Sequence, residues 1–273
     1  MYINYGYKPK NDIVCTFYLE PAKKEVMAGI AAESSIGTWT DVPKTKRRLA
    51  AKVYHWKKKG SGVMVKIAYP ADLFEHGNVP QLLSSVAGNI FGMKKVRNLR
   101  LEDIEFPKSY LSSFKGPKFG IDEIRRKLKI KNRPVVGTIV KPKLGLSSEE
   151  HAEAAYEAWV GGLDIVKEDE NLTSQKFNIF EKRVILTMKA KKKAEKETGE
   201  KKVYLPNVTA ETNEMLKRIS FVENHGGNYI MLDMFTIGFS ALQTVRNETQ
   251  LPIHAHRAMH AAMTKGKNGV SML

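Results

Sequence analysis

Along the first ~105 residues, apolar and polar positions fall into alternating strand-length and helix-length blocks. DIVCTFYLE (12–20) reads as a strand, and AKKEVMAGIAAESS (22–35) has helical spacing. AAKVYHW and GVMVKIAYP follow as a hairpin around Gly60–Gly62, and a helix over 79–90 with a strand over 95–105 completes the series. The order β-α-β-β-α-β predicts a ferredoxin-like α+β domain. Residues 106–130 read as a connector with a short helix over 121–129, and Pro107 and Pro117 mark breaks. The chain therefore divides into an N-terminal domain over 1–115 and a second domain over 116–273.

From Arg133 the pattern becomes repeated β-α units. Strands are expected at 135–140, 163–167, 203–208, 229–234 and 252–256. Ser147, with Glu150 three residues on, has the spacing of a capping box and opens the first helix. Strands alternating with helices of this length call for a parallel sheet, and the α/β class follows. In a (β/α)8 TIM barrel, functional side chains collect at the C-terminal ends of strands. Lys141, Lys167, Asn207, Asp233 and His256 all fall at such ends. About five β-α units are visible, so the barrel is expected to be incomplete. An open sheet leaves two unpaired edges, and the expectation is a fragment of a longer gene product, inactive and association-prone by itself.

The chemistry concentrates at those strand ends. LDIVKEDEN (163–171) is an apolar run that stops abruptly in one lysine and three carboxylates. On a strand Lys167 and Asp169 share a face and Glu168 points the other way, while Glu170 sits where the chain turns back. Charge against an apolar strand is costly unless paired or metal-bound, and an oxygen-rich set suits a hard cation such as Mg²⁺. A solvated loop with an ordinary Lys–Asp pair is the competing reading. In KPKLGLS (141–147) the spacing of Lys141 and Lys143 puts both ammonium groups on one side of an extended segment shaped by Pro142. His254 and His256 share a face of another short strand, with Arg257 at its exit.

Composition changes this picture only a little. The net charge of +16 is the one oddity, with eight basic residues between Lys44 and Lys59 and a second dense run over 189–202. The second run mixes in glutamates at helical spacing, as a solvated helix face does, and stacking aromatics are sparse in both. Nucleic-acid binding is therefore not expected, and steering of anionic substrates is the better use of the charge. A single cysteine, Cys15, rules out an internal disulfide framework and suits a reducing cytoplasm. No apolar run approaches the roughly 18 residues of a membrane span.

Taken together, KPKLGLS, GGLD-x-x-K-x-DEN, H-x-HRAMHA, AESS-x-GTWT (32–40) and GN-x-FGM (88–93) make the chain resemble the large subunit of ribulose-bisphosphate carboxylase, RuBisCO. The resemblance covers essentially the whole chain and is nearest to the archaeal type (form III). Two positions depart locally: Glu168 stands where aspartate is commoner, and Ile139 where many plant-type chains have threonine.

The resemblance implies carboxylation of ribulose 1,5-bisphosphate to 3-phosphoglycerate, with oxygenation as a side reaction and a role in nucleotide (AMP) salvage. It implies Mg²⁺ held by Asp169, Glu170 and Lys167, the lysine having reacted with CO2 to a carbamate, since an ammonium group has no lone pair to offer a metal. Lys141, Lys167 and His256 become catalytic acid/base groups, while Lys143 and Arg257 hold substrate. Glu33, Thr38, Trp39 and Asn89 would bind substrate in the neighbouring subunit's site, which makes a homodimer the minimal unit. Two rivals remain open: a RuBisCO-like enolase or isomerase acting on a related sugar phosphate, and a noncatalytic split-gene partner or basic binding module.

Overall fold

A computed structural model of the chain describes residues 1–37 and 47–271. Thr38 and Trp39 lie outside the described residues. The chain divides into two units, Met1–Lys115 together with Met259–Leu273, and Gly116–Ala258.

In the first unit, β1 (Asp12–Glu20) and α1 (Lys24–Glu33) are followed by the hairpin of β2 (Lys52–Lys59) and β3 (Gly62–Pro70), then α2 (Val79–Val86), β4 (Asn98–Glu105) and the single turn α3 (Lys108–Leu111). β1 is central and pairs antiparallel with β3 on one side and β4 on the other, and β2 closes on β3. That is the ferredoxin-like arrangement expected from the pattern. Alternation explains the layer: Ile13, Cys15, Phe17 and Leu19 occupy every second position of β1, and all join one core with Val26, Met27 and Ile30 of α1. α2 is shorter than the expected 79–90. Asn78 caps its start by accepting from the Gln81 amide at 3.0 Å. At Gly88 a Cβ would lie 2.0 Å from the Ser84 carbonyl oxygen, so only glycine fits where the chain leaves the helix for the 3-10 turn Asn89–Gly92.

The second unit runs α4 (Ile121–Leu128), β5 (Gly137–Ile139), α5 (Ser148–Val160), β6 (Ile165–Lys167), α6 (Phe180–Thr198), β7 (Val203–Leu205), α7 (Thr212–Asn224), β8 (Ile230–Asp233), α8 (Met234–Ile237), α9 (Phe239–Glu248) and β9 (Ile253–His256). β5, β6 and β7 pair in parallel, as do β8 and β9. A single parallel bridge between Asn207 and Met231 joins the two groups. The five strands thus follow one another in sequence order, as an open arc of a TIM barrel does, and the barrel is incomplete. α5 begins with the expected capping box, Glu150 N–H donating to Ser147 Oγ at 3.2 Å and Ser147 N–H to Glu150 Oε2 at 2.7 Å. Trp159, Phe180, Val184 and Met188 of the helices pack onto Val166 and Tyr204 of the strands.

At the far end the chain returns to the sheet of the first unit. Residues 259–271, assigned above to the barrel, cluster with the first unit, where α10 (His260–Thr264) leads into β10 (Gly269–Val270). β10 adds to the exposed edge of β4 in parallel. Leu99 N–H donates to Asn268 Oδ1 at 3.0 Å, Ser271 N–H to the Leu101 carbonyl at 2.7 Å, and the Arg100 guanidinium to the Thr264 carbonyl. An unpaired strand edge offers backbone groups that must find partners, and a two-residue strand carries no hydrophobic pattern to announce itself.

Candidate active site

The C-terminal ends of β5, β6, β8 and β9 bring six charged or titratable side chains together. Val140 N–H donates to the Lys167 carbonyl at 3.1 Å, which sets the end of β5 beside that of β6. Just past it, Lys141 Nζ donates to Asp169 Oδ2 at 2.5 Å. Lys167, the last residue of β6, is 7% exposed; its Nζ donates to the Glu168 carbonyl at 2.7 Å and lies 3.4 Å from Glu170 Oε2. His256, the last residue of β9, places Nε2 3.6 Å from Glu170 Oε2 and Nδ1 3.2 Å from Asp233 Oδ1. Ala258 N–H lies 3.2 Å from His256 Nδ1, the same nitrogen that faces Asp233 Oδ1. Lys143 stands farther out, its Nζ donating to Asn171 Oδ1 at 2.9 Å.

The carboxylates differ in what surrounds them. Burial opposes ionisation of Asp169, but the Lys141 hydrogen bond, the Asn171 amide and the Lys141 and Lys167 charges outweigh it, and its pKa stays below the usual value. Glu170 is held down by its own backbone amide against burial and the Asp169 charge, with help from Lys167 and His256. Asp233 goes the other way. Burial raises its pKa and Glu170 adds to the effect, while His256 and Lys167 oppose it. Its Oδ1 is buried without an aligned hydrogen bond.

Arg257 is exposed past β9, and Glu33 and Asn89 belong to the first unit.

A second layer, which sequence reasoning did not find, lies beneath. Glu168 is fully buried and turned away from Lys167 and Asp169, as strand alternation requires. Arg183, also fully buried, gives it a fork, Nε to Oε1 at 2.6 Å and Nη2 to Oε2 at 3.2 Å. The Tyr204 hydroxyl donates to Oε1 and the Asn207 backbone amide to Oε2 at 2.7 Å. His151 Nε2 lies 4.0 Å from Oε1, and burial pushes its pKa down to about 4 although Glu168 pulls the other way. Burial acts to raise the Glu168 pKa, yet Arg183 prevails and holds it below the usual value. One signal for this layer was present in the sequence. Phe180, Arg183, Val184, Thr187 and Met188 share helical spacing, so Arg183 falls on the apolar stripe of α6.

Among the described residues no three His, Cys, Asp or Glu side chains gather into a ready-made metal cage. The strand ends offer two carboxylates of low pKa with a buried lysine between them. That donor set fits a hard cation such as Mg²⁺, which binds through one or two carboxylates and completes its shell with water.

A parallel β-α array with its acid, base and carboxylate groups at the C-terminal strand ends defines a TIM-barrel-type enzyme site. The chain matches the family model described as ribulose bisphosphate carboxylase large chain, catalytic domain, over residues 120–273, and that of the N-terminal domain over residues 1–110. It belongs to the RuBisCO large-chain family. Relatives include the ribulose bisphosphate carboxylase of Methanocaldococcus jannaschii, 50% identical over 100% of this chain and 67% of the relative. That of Methanosarcina acetivorans is 51% identical over 100% of this chain and 66% of the relative. Among solved structures, octameric RuBisCO from Pyrococcus horikoshii OT3, in complex with sulfate, superposes with a TM-score of 0.95 at 47% identity, covering 99% of this chain and 66% of that one. A dimeric archaeal RuBisCO from Hyperthermus butylicus matches equally well, with TM-score 0.95, 47% identity, and 99% and 66% coverage. The chain thus spans about two thirds of the length of the relatives it matches. Among the described residues no helix is long and apolar enough to cross a membrane.

Proposed function

We propose that this chain supplies part of the active site of a ribulose 1,5-bisphosphate carboxylase, which adds CO2 to the sugar bisphosphate to give 3-phosphoglycerate and oxygenates it as a side reaction. The carrying observation is Lys167, buried at a strand end with Glu170 Oε2 at 3.4 Å and Asp169 two residues on. In this reading the neutral Lys167 amine adds to CO2 and gives up a proton to become a carbamate, and Lys167, Asp169 and Glu170 would then hold Mg²⁺. The bound cation supplies Lewis-acid polarisation of the substrate's carbonyl and hydroxyl oxygens.

This chain's own groups do the rest. The Lys167 carbamate takes the first proton from the substrate, and Lys141 handles later proton transfers from its place against Asp169. Lys143 holds substrate oxygens, His256 serves as a second acid/base group oriented by Asp233 and the Ala258 amide, and Arg257 grips a phosphate with its planar fork. Glu33, Thr38, Trp39 and Asn89 complete the site of a neighbouring copy in a homodimer or larger homo-oligomer. The similarity to archaeal chains favours a role in nucleotide salvage, with AMP as an upstream source of the sugar, in the cytoplasm.

Carbamate trapping tests this reading. After incubation with ¹³C-labelled CO2 and Mg²⁺ and chemical trapping, the label should sit on Lys167 and vanish in Lys167→Arg, which keeps the charge but cannot form the carbamate. Label absent from Lys167, or CO2-dependent activation persisting in Lys167→Arg, overturns it.

A further inference from the structure

The segment bearing Asp169 and Glu170 is held from below by very few side chains. Arg183 binds the Glu168 carboxylate at one end of the segment and, through Nη2, the Thr173 carbonyl at the other at 2.6 Å. Its Nη1 also donates to the Asn178 carbonyl at 2.8 Å. Asn207 Nδ2 lies within 3.3 Å of the Asp169 carbonyl and 3.1 Å of those of Glu170 and Leu172, while its backbone amide grips Glu168. Five of the six residues from Glu168 to Thr173 are therefore tied to two residues, both without exposed surface.

Stability alone is a poor reason for such a layer. A buried ion pair commonly contributes no more than well-packed apolar residues of the same volume, because desolvation offsets the attraction. What a multiply hydrogen-bonded pair does supply is a single geometry. Glu168 reaches the Arg183 fork, the Tyr204 hydroxyl and the Asn207 amide at once, and a shorter aspartate at this position would meet fewer of them from the same backbone.

We infer that Glu168, Arg183 and Asn207 are positioning residues that hold the Asp169–Glu170 segment ready to receive a divalent cation, an inference resting on the metal-site reading above. Outer partners that orient ligating carboxylates typically change metal affinity about 10–100-fold when removed. Arg183→Lys is the sharpest variant. It keeps a positive charge opposite Glu168, but a point charge cannot span Glu168, Thr173 and Asn178 together.

Two measurements on the full chain separate the possibilities. Hydrogen exchange without metal reads the segment directly through the Asn171 and Leu172 amides, which donate to Asp169 Oδ1 at 3.1 Å and to its carbonyl at 3.0 Å. In Arg183→Lys both should lose protection about tenfold or more while β6 and β7 amides are unchanged. Mn²⁺ affinity in the presence of bicarbonate, with Mn²⁺ as the probe, should weaken by about tenfold or more.

Retained protection at Asn171 and Leu172 overturns the inference, and so does a loosened segment with unchanged Mn²⁺ affinity. A parent chain that binds no Mn²⁺ counts against the metal-site reading itself, and the exchange data then decide whether these residues hold the segment. If Arg183→Lys does not fold, the apolar replacement Glu168→Leu/Arg183→Met/Tyr204→Phe removes the charges together and is read by the same two measurements.

Discussion

The two ends of the parallel strands both carry clustered charge, but the clusters are built differently. At the N-terminal ends, Asp164 before β6 receives both Arg133 guanidinium nitrogens at 2.7 Å and the Val136 amide at 2.8 Å. Lys202 before β7 donates to the Leu163 carbonyl at 3.1 Å and to Glu200 at 2.6 Å. Each group there has close, aligned partners. At the C-terminal ends Lys141 meets Asp169 at 2.5 Å, but Lys167 meets Glu170 only at 3.4 Å, His256 meets it at 3.6 Å, and Asp233 keeps a buried oxygen without an aligned hydrogen bond. Charge that is fully partnered is architecture. Charge that is gathered yet incompletely partnered is where the proposed function places a third participant, since buried polar groups are otherwise satisfied. The Glu168–Arg183 pair is of the first kind, placed directly under groups of the second.

The comparison breaks most visibly at Glu168. Glu168→Ala strands a fully buried guanidinium, and the loss of stability should be about 3–5 kcal/mol by denaturant unfolding. A change under about 1 kcal/mol means Arg183 is not held by this carboxylate.

Acid should find the same layer through His151. Its pKa falls from the ordinary 6.5 to about 4 in the fold, so the folded state prefers the neutral ring. The stability this represents is fully present above pH 6.5 and is lost as pH falls toward the folded value, about 3 kcal/mol by pH 4. Unfolding midpoints measured from pH 7 to pH 4 should show the slope, and His151→Gln should flatten it. An unaltered slope in the variant assigns the effect to other groups.

At the N-terminal ends, Arg133→Ala removes a partly exposed partner from the buried Asp164 carboxylate and should lose measurable stability, less than Glu168→Ala because water can follow. Lys141→Met, at the other end, should shift stability by less than about 1 kcal/mol, since its side chain is 58% exposed, while impairing turnover in the assembled enzyme. Thermal melts of the two variants side by side sharpen the contrast. Equal destabilisation would erase the distinction between the two ends.

Much of this organisation is local and was legible in the sequence. The capping box at Ser147 and Glu150 lies within four residues, and the β-α-β-β-α-β order follows from periods of two and 3.6 that need no partner. Strand lengths were less legible. The run 203–208 yields a strand only over Val203–Leu205, because ladder pairing, rather than composition, decides where a strand ends. Lys141, Lys167, Asp169, Glu170 and His256 were recognisable as residue types at strand ends. The site's underside was not: Arg183 stood out only as a charge on an apolar helical stripe, and His151 and Tyr204 gave no sign of facing Glu168.

By itself, then, the chain's sequence determined its alternating elements, their order, and which chemical groups stand at the ends of the strands, since each of these depends on neighbours a few residues away. Only the tertiary structure decided that Asp233 meets His256, that Arg183 spans the Glu168–Thr173 segment, and that residues 269–270 extend the edge of β4. Those pairings join side chains and backbone groups from separate elements, and they are settled by packing and by the need of buried polar groups for a partner, which no local pattern encodes.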